Sequence, residues 1–380
     1  MTDLQALFPE TYEASRDRFR SDQSAVQAKW PKAKLFQHGL PGDEDLTIDW
    51  IYSDAIERNE KVVMLTTGEH GVECYVGSAM LQRFVDTYIP RLDPQTTGIL
   101  LVHAINPWGM KHHRRGNADN IDLNRTFLWD MSFDSTFNPE YDRIDSFLNP
   151  PSKLTNLFLS DIAYFLGLVR HIGRLGLRGF AGAQLLGQYR QPKGLFYGGR
   201  ETPEETQTLM ELYRQMLGNY EQVLHLDMHT GYGPRYQMSL VNSALDKRTS
   251  AEFAKRFDYP LVVAATADEF YALRGDMIDY IYALQQNEFP QTKLYATSFE
   301  FGTYGNSLHG LIHSPRVMIH ENRAYWHGTS GAEILVRAEH GFEELFNPAA
   351  SDWRKKAVAD ADRAFDGILK AEGFIPKQSH

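Results

Sequence analysis

The chain has 380 residues, 42% of them apolar, a formal net charge of −10 and one cysteine. That length supports one large or two ordinary domains with a sizeable core. The lone Cys74 excludes an intrachain disulfide scaffold, and the acidic balance argues against nucleic acid or an anionic membrane as a partner. No segment has the uninterrupted apolar length of a membrane span. The N-terminus, MTDLQALFPETYEASRDRF, is charged early and lacks a signal-peptide core, so a cytoplasmic location is expected.

Along the chain, residues 10–30 read as a helix and LTIDWIY at 46–52 as an edge or hairpin strand. The strand signal at 61–67 contains VVML, runs into Thr-Thr-Gly and stops at Gly68. His70 and Glu73 leave that strand end together, ahead of a helical stretch at 76–88. An imidazole and a carboxylate placed this way can take one side of a Zn²⁺ ion, and a catalytic zinc needs a third protein ligand and an open position for water. A strand signal at 98–105 leads into NPWGMKHHRRGNADNIDLNRTF at 106–127. There the planar fork of Arg125 fits a carboxylate, with Asn124 as a donor beside it; the structural alternative is that Arg125 braces Asp122. Arg115, or its neighbour Arg114, suits the stabilisation of an oxyanion.

Residues 128–202 hold Asn149-Pro150-Pro151, an apolar helical stretch near 157–168 and the Gly- and aromatic-rich GQYRQPKGLFYGGR. Such a long insert reads either as a lid or as surface decoration. As a lid it would offer Tyr189, Arg190, Lys193, Phe196, Tyr197 and Arg200 to the cleft. A helical stretch at 203–220 precedes VLHLDMHTG, whose His229 ends a strand and offers the third metal ligand. His225 and Asp227 share the His229 face of that strand. Asp227 is a candidate to orient the imidazole, whereas His103, His112, His113 and His225 read as structural or supporting. Strand signals follow at 260–265 and 294–301; the latter carries Glu300 between Phe299 and Phe301, where a carboxylate is poorly solvated unless it has a partner or a task. Residues 331–371 read as helices. Strand–helix alternation predicts an α/β fold with a single mixed, largely parallel sheet flanked by helices.

Four motifs in one order carry a resemblance. HGVE at 70–73, the stretch at 106–127, LDMHTG at 226–231 and SFEFGT at 298–303 resemble, in register, the zinc carboxypeptidase family of the carboxypeptidase A type. The chain is also similar to its deacylase relatives, succinylglutamate desuccinylase and aspartoacylase. The resemblance spans residues 60–305 and implies a zinc carboxypeptidase-like, phosphorylase/hydrolase-like fold. It further implies one catalytic domain over 1–380, with an insert at 128–202 and a C-terminal helical extension at 331–380. It implies one Zn²⁺ per chain on His70, Glu73 and His229, Glu300 as general base, and Arg115 on the oxyanion. Asn124 and Arg125 would hold the substrate carboxylate. A weaker similarity in YALRGDMIDYIY at 271–282 implies a mobile Tyr271 and a side-chain pocket with Ile278 at its floor. Arg274 either turns into that pocket or stays solvated. The expected activity is zinc-dependent cleavage of a C-terminal peptide bond next to a free α-carboxylate, on a peptide or N-acyl amino acid substrate. The alternatives are an N-acyl amino acid deacylase and a catalytically inactive zinc-binding module, against which the presence of Glu300 counts. Oligomeric state and resident metal are left open.

Overall fold

The computed structural model describes residues 4–42, 45–266, 273–305 and 308–376. In chain order these form α1 (Tyr12–Gln27), β1 (Lys34–Gly39), β2 (Thr47–Ser53), β3 (Lys61–Thr67), α2 (Cys74–Thr87), β4 (Thr97–His103), α3 (Pro107–Lys111), α4 (Pro139–Leu148) and α5 (Leu157–Leu185). They continue with α6 (Glu204–Asn219), β5 (Gln222–Thr230), β6 (Met238–Asn242), α7 (Ser250–Phe257), β7 (Val262–Ala264), α8 (Met277–Glu288), β8 (Lys293–Phe301), α9 (Leu308–His327), α10 (Ala332–Phe346) and α11 (Ser351–Ala371).

The strands make one sheet in the order β1-β2-β4-β3-β5-β8-β6-β7. Its centre, β4-β3-β5-β8, is parallel, while β1, β2 and β6 run antiparallel to their neighbours in that centre or in the hairpin. Buried parallel strands need apolar residues on both faces, and β3 and β4 are buried along almost their whole length. Val63, Leu65, Leu224 and Leu226 point toward α1, α2, α7 and α11. Their alternates Val62, Met64 and Val223 point toward α6 and α8. A third apolar cluster joins α4, α5, α9 and α10 with Val72 just beyond the end of β3.

Two refinements of the sequence reading are informative. LTIDWIY is a hairpin strand rather than an edge: β2 pairs antiparallel with β1 and lies between β1 and β4, and the largely exposed β1 covers it. The apolar stretch near 157–168 continues to Leu185, with a break at Gly176, whose backbone adopts φ 70° and ψ 165°. Among the described residues no helix is long and apolar enough to cross a membrane.

Candidate metal centre and active site

Gly68, at φ 80°, turns the chain out of β3, and backbone hydrogen bonds from Gly71 and Val72 to the carbonyls of Arg115 and Arg114 fix the loop that follows. This places His70 and Glu73 beside the C-terminal end of β5. The parallel register pairs His229 of β5 with Glu300 of β8, so third ligand candidate and base candidate sit on adjacent strands at one level. Ligand atoms of His70, Glu73 and His229 all lie within 4.8 Å of one another, and all three residues are buried. His70 Nδ1 is 2.9 Å from Glu73 Oε1, and His229 Nδ1 is 3.2 Å from Glu73 Oε2.

Both imidazoles are held from behind. His70 Nε2 is 3.0 Å from Asp122 Oδ1, and His229 Nε2 contacts Asp227 Oδ2. A carboxylate on the far nitrogen fixes the tautomer and leaves the near nitrogen free for a metal. His70 Nδ1 is accordingly buried, with Glu73 Oε1 2.9 Å away but no well-aligned hydrogen bond. Two such nitrogens and one carboxylate are the donor set that zinc takes, so the residues fit the ion. Burial alone would raise the Glu73 and Asp122 carboxyls; His70 and Arg115 hold Glu73 below the usual range, and Arg115, Arg125 and His70 do the same for Asp122. Burial pushes Glu300 up to about 7, with Glu73 adding to the shift, and Tyr232 N–H donates to Glu300 Oε1 at 2.9 Å.

The structure separates the doubled arginines. Arg115 donates from Nη1 to Glu73 Oε1 at 2.8 Å and from Nε to Asp122 Oδ2 at 3.2 Å. Arg114 points away, to Glu321 and Asn120, over the Tyr325 ring. Asn124 and Arg125 line the same cavity as the metal candidates, a space of about 220 Å³. Both are also braced: Asn124 Oδ1 accepts from Met277 N–H at 2.9 Å, and Arg125 donates to the carbonyls of Asn124 and Leu185 at 2.7 and 2.8 Å. Arg125 Nε is buried without a hydrogen-bond partner.

The pocket residues expected from 271–282 fall differently. Tyr271 lies outside the described residues. Ile278 is buried in the core between the sheet and α6, and the cavity is lined instead by Leu273 and Asp276. The reason is local: Asp276 caps α8 at the cavity, and the helix turns Ile278 inward. Arg274 donates to the Ser132 carbonyl at 2.9 Å and covers the Phe137 ring, away from the cavity. Of the insert candidates only Phe196 lines the cavity. Tyr189 hydrogen-bonds the Arg125 carbonyl, Arg190 pairs with Asp142, Lys193 covers Trp326 and Tyr197 packs in the core.

His103 bonds Ser15, His113 stacks on Tyr75, His112 packs against Trp108 and His225 bonds Thr66. Burial pushes the Cys74 thiol up to about 12. One residue escaped the sequence reading: Glu69 is fully buried, its oxygens have no hydrogen-bond partner, and it lies 3.4 Å from His229 Nε2. Burial pushes its carboxyl well up, against the pull of His229. Its position directly before His70 was the available signal.

The family described as "Protein of unknown function (DUF2817)" matches over residues 8–360. No curated protein matches the sequence. Similar solved structures include bovine thrombin-activatable fibrinolysis inhibitor, at 13% identity and TM-score 0.46, covering 85% of this chain and 96% of that one. Carboxypeptidase A from Helicoverpa armigera shares 14% identity with TM-score 0.46 and coverages of 87% and 73%. An aspartoacylase family protein from Mesorhizobium loti shares 14% identity with TM-score 0.37 and coverages of 77% and 66%.

Proposed function

We propose that this chain, which belongs to the DUF2817 family, is a zinc-dependent hydrolase that cleaves an amide bond next to a free carboxylate, in the manner of a metallocarboxypeptidase. The observation that carries the reading is the meeting of His70, Glu73, His229, Glu300 and Arg115 at one cavity. A zinc ion held by His70, Glu73 and His229 would supply Lewis-acid polarisation and acidify a water molecule. Glu300 takes a proton from the attacking water, whose oxygen bonds to the amide carbon. It returns the proton to the nitrogen as the C–N bond breaks, leaving a carboxylic acid and an amine. Burial suits Glu300 to both halves of that exchange. Arg115 balances the charge that builds on the carbonyl oxygen, while Asn124 and Arg125 hold the substrate carboxylate.

A second reading, removal of an acyl group from an N-acyl amino acid, uses the same residues. It is favoured by the apolar wall that α5 contributes to the cavity, with Leu168, Ile172, Leu177 and Phe180. The test has two arms. Metal analysis should find one zinc per chain, lost in His229→Ala. A product screen of short peptides and N-acyl amino acids with zinc-loaded protein should find hydrolysis of free acids and far less of their amides. Absence of bound metal together with absence of hydrolysis would overturn the reading.

A further inference from the structure

The apolar lining of the cavity is concentrated on one wall. Leu168 and Phe180 of α5 pack with Met318 of α9, Leu345 and Phe346 of α10, and Phe196, in one cluster; all six also line the cavity. Phe196 and Phe346 face the Arg115 guanidinium at 5.7 and 5.8 Å. Phe196 also faces Arg125 at 5.5 Å, so it stands between the oxyanion and carboxylate positions. A substrate with its carbonyl at Arg115 could run its acyl group from there along this wall.

A peptide on that side would bring an N–H and a C=O with every residue, and buried groups of that kind need partners. The α5 and α9 contribution to the lining offers the side chains of Gln184 and Ser314 and is otherwise hydrocarbon. A methylene chain needs no partner at all. Nor does the apolar surface stop inside. Leu177, just past the Gly176 break, lines the cavity and is 50% exposed. The outer face of the same helix shows Phe158, Leu159, Ile162, Phe165, Leu166 and Val169 to solvent. These recur at helical spacing and form an exposed apolar stripe on the half of α5 before the Gly176 break.

We infer that the acyl group accepted here is a long unbranched alkyl chain lying along the α5–α9 wall, so that the substrate class is an N-fatty-acyl amino acid. This rests on the hydrolase reading above for the reaction, and on the wall alone for the ligand. Hydrolysis yields a fatty acid and a free amino acid: water's oxygen joins the acyl carbon, the C–N bond breaks, and the amine takes the proton.

The experiment measures binding without turnover. Metal-free protein is titrated calorimetrically with N-acetyl-, N-butanoyl-, N-octanoyl- and N-dodecanoyl-phenylalanine. Each methylene buried should tighten Kd about fourfold until the wall is covered. Leu177→Asp, at the half-exposed mouth, should flatten that slope, and circular dichroism checks that it folds. Dipeptides ending in phenylalanine should bind more weakly than the octanoyl compound. A Kd independent of chain length, or a slope unchanged in Leu177→Asp, would overturn the inference. Peptide hydrolysis by zinc-loaded protein with no chain-length effect would overturn it too and leave the hydrolase reading standing. Chain-dependent binding with no hydrolysis of any compound would uphold the ligand class and remove the reaction.

Discussion

Glycine does opposite work in the two regions that meet at the cavity, the strand-end cradle and the α5 wall. In the cradle a Cβ on Gly71 would lie 2.1 Å from the Gly109 backbone, and one on Gly77 would lie 1.6 Å from Thr67 Oγ1. Those glycines let the ligand loop and α2 approach closely enough to set His70 and Glu73. In α5 a Cβ on Gly173 or Gly182 would meet nothing within 4 Å. No close approach asks for glycine there, and its effect is to weaken the helix by about 0.5–1 kcal/mol relative to Ala at each position. The strand-end side of the cavity is thus fixed by contact, and the α5 side is a helix kept soft.

The sharpest test of the cradle changes chemistry without shape. Glu300→Gln should keep fold and bound metal and lose about 10²–10⁴-fold in kcat; a variant with near-wild-type kcat removes Glu300 as the base. Next in size is Gly71→Ala. Because the obstacle is backbone, nothing nearby can yield cheaply, and the urea midpoint should fall by the equivalent of about 1–3 kcal/mol. An unchanged midpoint would mean that the loop position is not set by this contact. Smallest, and opposite in sign, is the wall. Gly173→Ala and Gly182→Ala should each raise stability by about 0.5–1 kcal/mol and slow hydrogen exchange in 173–185. Gly176→Ala, at positive φ, should instead lower it. Destabilisation by the first two would show that α5 is packed as tightly as the cradle.

Much of the cradle is legible in sequence because its strands are buried on both faces and end in turn residues. VVMLTTG and VLHLDMHTG announce β3 and β5 and put His70, Glu73 and His229 at their ends. β1 and β6 are not legible: KLFQHG is half exposed, and MSLVN is only five residues long. The full length of α5 is hidden by its glycines, which read as a helix end although the tertiary contacts of Leu175 and Phe180 carry the helix through. Arg114 and Arg115 are indistinguishable by spacing and separate because Glu321, far along the chain, and Asn120 capture the first, and Glu73 and Asp122 the second. The same applies to Asp276 and Ile278, where one turn of α8 decides which side chain meets the cavity.

The β3–β5 pairing joins residues 61–67 to 222–228, with the whole insert between them in sequence. Parallel pairing over so much chain is slow, since loop closure precedes any reward. During synthesis His70 and Glu73 emerge long before His229 exists, and two donors on a mobile loop make a poor trap for an ion. A metal held by His70, Glu73 and His229, as proposed above, would join a chain in which β5 is already made rather than template the early fold. A nascent chain arrested before residue 229 should leave the ribosome exit without zinc.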